Sequence, residues 1–176
     1  MVKVKFSCQE ALVIVGALVD ANIDFPSECL TENAFPLDIL NQIKRVVLIN
    51  SSLDNLEFLT SLPNLEELVF SNIDYQKVAD YVDYSESNFN MIQDYSAISK
   101  LTKLKKLVID NDVCIKELDL GSLSELNTLI LTNNPKLRSL KGMGKLHKLD
   151  TVCMYGNSIR EFEGFEGYLH NTIDAS

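Results

Sequence analysis

Residues 104–112 read LKKLVIDND, and residues 126–134, 22 positions later, read LNTLILTNN. Both put apolar side chains at positions 1, 4 and 6 and an acid or amide at position 9. The same frame fits 43–51 (IKRVVLINS), 65–73 (LEELVFSNI) and 149–157 (LDTVCMYGN). A segment of alternating apolar residues is a short strand with one face inward. A fixed period of about 20–50 residues means stacked units, because one unit cannot bury its apolar face alone. Further apolar positions recur after four of the five matches, at Leu53 and Leu56, Ile115 and Leu118, Leu137 and Leu140, and Ile159 and Phe162.

The pattern resembles the leucine-rich repeat, L-x-x-L-x-L-x-x-N-x-L. Repeat starts at Ile43, Leu65, Leu104, Leu126 and Leu149 give spacings of 22, 39, 22 and 23 residues. The short spacing is similar to the 22-residue class found in internalins, and 97–104 (AISKLTKL) looks like that class's return arm. The resemblance spans about 43–165. It implies an α/β solenoid: a curved parallel sheet on the concave face, short helical return segments, and a default role in binding proteins. The ninth-position residues, Asp112, Asn134 and Asn157, are suited to satisfy backbone groups where the chain turns away from the strand.

A solenoid needs caps. Residues 1–42 carry no repeat and are expected to form an N-terminal helical cap. Ser7-Cys8-Gln9-Glu10 has the form of a capping box opening a helix over the apolar run Ala11–Val19. Pro36 is expected to start a short helix through Leu37, Leu40 and Ile43. Residues 166–176 are left as a tail or minimal cap, with Phe162, Phe165 and Tyr168 available to cover the last repeat.

The chain holds 26 leucines, none between Leu68 and Leu101. That gap coincides with the 39-residue spacing, 17 residues longer than its neighbours, and marks an insertion near 74–96. Ile73 stands there in place of the expected Asn. The insertion carries Tyr75, Tyr81, Tyr84, Phe89 and Tyr95 with acids at 80, 83, 86 and 94. It reads as part of a binding face, as a lid packing on its own solenoid, or as a disordered segment.

Composition narrows the functional classes. The 176 residues carry a formal net charge of −9, and no apolar run approaches the roughly 20 residues of a membrane span. An acidic chain disfavours nucleic acid as partner. The capped apolar run is better explained as a helix than as a signal peptide, so a cytoplasmic location is expected, with a secreted or surface location as the alternative. Cys8, Cys29, Cys114 and Cys153 lack zinc-site spacing and are expected to be reduced and mostly buried. Neither His147 nor His170 stands beside a catalytic arrangement, and no glycine pattern suits a nucleotide. No cofactor, no metal and no enzymatic activity are expected.

The outward side of the expected sheet has three rows. The first is Arg45, Glu67, Lys106, Thr128 and Thr151; the last is Ile49, Ser71, Asp110, Thr132 and Tyr155. The middle row, Val47, Val69, Val108, Ile130 and Cys153, is apolar throughout. With strands about 4.8 Å apart, that row runs roughly 19 Å. An exposed apolar stripe between polar rows usually marks a contact surface. A protein partner is therefore expected on the concave face, with Glu67, Lys106, Asp110 and Tyr155 setting specificity at the rim and the Tyr-rich insertion assisting. Residues 1–100 hold 6 basic and 15 acidic groups while 101–176 hold 10 of each, which favours a basic partner at the acidic end. The alternative is an inhibitor or immunity-type protein that blocks a basic enzyme or toxin by charge complementarity.

Overall fold

The computed structural model describes residues 2–51, 53–72 and 92–163. Five parallel strands form the main sheet: β3 (Arg45–Ile49), β4 (Glu67–Ser71), β5 (Lys106–Asp110), β7 (Thr128–Thr132) and β9 (Thr151–Tyr155). They lie side by side in chain order, each pairing with the next in the register the sequence frame predicts. The molecule is a leucine-rich-repeat solenoid of the α/β class. Alternation within each strand sends Leu68 and Phe70, Leu107 and Ile109, and Leu129 and Leu131 into the core. The repeat-opening residues Ile43, Leu65, Leu104 and Leu126 are buried beside them, while Leu149 and Val152 at the last described rung are half-buried.

The turns leaving the strands share one device that the sequence reading did not isolate. The eighth residue of the frame takes a left-handed conformation at Asn50, Asn111, Asn133 and Gly156, with φ of 46°, 55°, 55° and 67°. Asparagine tolerates that region better than other side chains. At Gly156 a Cβ would lie 2.6 Å from Asn133 Oδ1, so glycine is required. Asn72 is the exception, and the insertion follows it.

The return segments are not α-helical. Three single 3-10 turns serve instead, at Glu57–Ser61, Ser96–Lys100 and Met143–Lys145. In the last three repeats the chain contributes to a second, three-stranded parallel sheet on the convex side, β6 (Glu117–Asp119), β8 (Ser139–Lys141) and β10 (Glu161–Phe162). Leu118 and Leu140, apolar positions of the frame, align there with Phe162. Nearer the N-terminus the convex side holds a single bridge, between Asn55 and Asp94. That bridge places Tyr95 level with Leu56. Tyr95 is accordingly buried, its ring edge-on to Phe70 at 6.0 Å.

Helix α1 (Cys8–Asp20) opens with the complete capping box: Glu10 N–H donates to Ser7 Oγ, and Ser7 N–H donates to the Glu10 carboxylate at 2.7 Å. It packs against β3 and buries Ala11, Ile14, Ala17 and Leu18. An antiparallel pair absent from the sequence reading, β1 (Lys3–Lys5) with β2 (Ala34–Pro36), closes the N-terminal region around Phe6, Phe25 and Phe35. Helix α2 (Glu28–Glu32) lies between them in sequence. Pro36 is the N-cap of α3, which runs only Leu37–Leu40, shorter than expected, with Ile43 buried beyond it. One hydrophobic core runs from Phe6 to Met154. The cysteines are free, but burial holds only for Cys29; Cys8 is exposed and Cys114 and Cys153 are half-buried. Among the described residues no helix is long and apolar enough to cross a membrane.

Candidate functional site

The five-strand register brings the middle row together rung by rung: Val47, Val69, Val108, Ile130 and Cys153 are successive partners. All five are half-buried on the outward face, where strand alternation puts them opposite the core. Ile49 and Tyr155, 47% and 45% exposed, stand at the two ends of the last row.

The first row is an alternating charge triad. Glu67 sits between Lys106 Nζ at 2.9 Å and Arg45 Nε at 3.4 Å, and Arg45 also reaches Asp20 of α1 at 3.6 Å. Burial pushes the Glu67 carboxyl up, but the hydrogen bond from Lys106 and the two neighbouring cations outweigh it and hold the group below the usual carboxylate range. One residue earlier on the chain, Glu66 lies between Lys105 at 2.7 Å and Lys44 at 3.4 Å; the Lys105 hydrogen bond chiefly lowers its pKa.

In the last row Asp110 accepts from Ser71 Oγ at 3.4 Å, from Asn133 Nδ2 at 3.3 Å and, by a short contact, from Thr132 Oγ1. The rim residues named from sequence are therefore brought together, but Glu67 pairs with Lys106, and Asp110 is held within its own row.

Behind the last row runs the ninth-position ladder. Asn134 Nδ2 donates to the Ile109 carbonyl and to Asn157 Oδ1, both at 3.0 Å, while its Oδ1 accepts from Asp112 N–H at 2.9 Å. Asn157 Nδ2 donates to the Leu131 carbonyl at 2.7 Å. Asp112, fully buried, accepts from Cys114 N–H and Ile115 N–H at 2.7 and 2.8 Å. A carboxylate cannot donate as Asn does, and Tyr95 Oη adapts to it by donating to Asp112 at 2.6 Å. Burial, then the Asp112 charge, raises the Tyr95 phenol far above its ordinary value.

Sequence reasoning missed a wall of this site. A cleft of about 390 Å³ lies between α1 and β3, lined by Leu12, Val13 and Gly16 on the helix and by Val47 and Ile49 on the strand. It continues the apolar row onto the N-terminal helix. The available signal was that α1 is apolar on several sides, leaving Leu12 and Val19 about two-thirds exposed, at 67% and 65%. Tyr75, Tyr81, Tyr84 and Phe89, with residues 73–91 of the insertion, lie outside the described residues, as do Phe165, Tyr168, His170 and the tail 166–176. His147 is exposed, and among the described residues no group of three or more His, Cys, Asp or Glu is placed to hold a metal ion.

Among solved structures, the chain is similar to three proteins of Listeria monocytogenes. Internalin C2 is 18% identical, with 96% of this chain and 92% of that one covered and a TM-score of 0.38. An internalin, InlF, is 19% identical over 86% of this chain and 44% of that one, with a TM-score of 0.47. The functional domain of InlJ is 18% identical over 81% and 37%, with a TM-score of 0.38. The chain spans less than half the length of the latter two. No protein-family model matches the chain, and no curated protein does. The fold assignment rests on the repeat period and strand register of this chain itself.

Proposed function

We propose that this domain is a non-catalytic protein-interaction module that binds a protein partner through its concave sheet face. The observation that supports the reading is the half-buried apolar row Val47–Val69–Val108–Ile130–Cys153, unbroken over five paired strands. Such a row buries apolar area at the centre of an interface, where charged residues are depleted. Glu67, Lys106 and Asp110 serve as a pre-paired rim, so a partner meets dipoles and ion pairs rather than bare charges. Tyr155 offers an amphipathic contact at the far end of the rim. Tyr75, Tyr81, Tyr84 and Phe89 of the insertion belong to the same proposed surface. Net charge favours a basic partner at the N-terminal end, and a cytoplasmic site of action fits the capped first helix.

The test is affinity capture from the native extract by wild type and by Val108→Glu/Ile130→Glu. Loss of capture with an unchanged thermal melt is expected. Equal capture by the folded double variant would sink the concave-face reading. The inhibitor alternative rests on the acidity of residues 1–100 and predicts fast association that weakens steeply with salt.

A further inference from the structure

A second surface lies on the opposite side of the solenoid. The convex sheet stops at β6, and between β6 and the segment Gln93–Ser99 the surface opens into a cleft of about 850 Å³. Leu118 is buried in its lining, and Lys116, Lys136 and Arg138 are part of its wall. The three cations have no ion-pair partner among the described residues. This sets them apart from Lys100, Lys105, Lys106, Lys141 and Lys148, each of which lies within 3.0 Å of a carboxylate.

Two of these cations, Lys116 and Arg138, are aligned with Arg160 beyond the cleft. Arg138 N–H donates to the Lys116 carbonyl at 2.8 Å, and Arg160 N–H donates to the Arg138 carbonyl at 2.9 Å. Lys116, Arg138 and Arg160 are therefore one column across three repeats, about 10 Å long at about 4.8 Å per rung. The carboxylates of the cleft are already engaged. Asp94 accepts from Ser96 N–H at 2.8 Å, Asp119 from Gly121 N–H at 2.9 Å, and Glu117 pairs with Lys141 at 3.0 Å. In a chain of net charge −9, the lining of this cleft carries four cations against three carboxylates, and three of those cations are free to meet a partner's anions.

We infer that this convex cleft is a second binding site, separate from the concave face, for an extended acidic segment of a protein partner. Same-side side chains of an extended chain recur about every 6.6 Å, so two such carboxylates fall within the roughly 10 Å length of the cation column. Arg138 offers a fork suited to one carboxylate, and the two lysines hold the other as point charges. The Ser96 and Ser139 hydroxyls line the same cleft.

The experiment is fluorescence anisotropy with a labelled, acetylated decapeptide alternating Glu and Ser, set beside its Gln–Ser counterpart. Saturable binding of the Glu peptide, weakening as salt rises, is expected. Lys116→Glu/Arg138→Glu should lower its affinity about tenfold or more, a loss of about 1.4 kcal/mol or more. If that variant does not fold, Lys116→Gln/Arg138→Gln should still lower it. Val108→Glu/Ile130→Glu should bind the peptide like wild type, which separates this site from the concave one. The inference fails if the Glu peptide does not saturate, or if its Gln counterpart binds equally. It fails equally if the folded charge variants bind like wild type, or if a single-stranded oligonucleotide of equal charge binds more tightly.

Discussion

Replacing Asn134 with alanine should destabilise the domain far more than its single side-chain amide suggests. The residue is fully buried and serves three partners at once: the Ile109 carbonyl, Asn157 Oδ1 and the Asp112 amide. Alanine leaves the Ile109 carbonyl and the Asp112 N–H without that partner; Asn157 Oδ1 still receives the Asn134 N–H at 3.2 Å. Each orphaned buried group costs about 1–3 kcal/mol, so the expected loss for the two is about 2–6 kcal/mol. That is a large share of the roughly 5–15 kcal/mol that holds a domain folded. The assay is urea unfolding followed by far-UV circular dichroism, where the midpoint should fall by about 1–2 M. Asn134→Asp is the discriminating control. It keeps an acceptor for Asp112 N–H but sets oxygen against Asn157 Oδ1 and offers Ile109 nothing, so it should not rescue. A loss under about 0.5 kcal/mol for alanine, or wild-type stability for aspartate, would refute the ladder.

Leu129→Ala, at a fully buried inward strand position, should cost about 2–5 kcal/mol in the same melt, and a loss below 1 would mean the register is wrong. Gly142→Ala should be at least as damaging, because φ is +77° and the new Cβ would lie 2.4 Å from the Gly121 backbone; an unchanged melting temperature would contradict that close approach. Glu67 should titrate below an ordinary glutamate by NMR, and Lys106→Met should move its midpoint up. Because its folded-state pKa is depressed, the triad's contribution to stability is present above the ordinary glutamate value and is lost as pH falls through the depressed one. A Glu67 midpoint unmoved by Lys106→Met would count against that pairing.

The main sheet was legible because a strand's period of two, locked to a 22-residue repeat, leaves one register for Leu107, Leu129 and their counterparts. The concave rows follow from the same parity. The convex strands β6, β8 and β10 have two or three residues each, too few for alternation to show. The pair β1–β2 was hidden for the same reason. At 133–134 two adjacent asparagines do different work: Asn133 takes the left-handed turn and Asn134 feeds the ladder. A frame that asks only about the ninth position sees one of them. Tyr95 stands among the insertion's aromatics in the sequence, yet Ile92-x-x-Tyr95 repeats the spacing of Leu53-x-x-Leu56, and both Ile92 and Tyr95 are buried. The ion pairs of Glu66 and Glu67 with Lys105 and Lys106 join residues 39 apart. They become visible only once the insertion is looped out of the stack. The α1–β3 cleft depends on how a helix seats against a sheet edge, which periodicity does not encode.

The most direct test of the concave-face account is methyl NMR of the domain titrated with the partner recovered by capture. The account predicts that the methyls of Val47, Val69, Val108 and Ile130 shift together, while the core methyls of Leu118 and Leu140 beneath the convex sheet stay put. Shifts confined to the convex side, with the valine–isoleucine row unmoved at saturation, would contradict it.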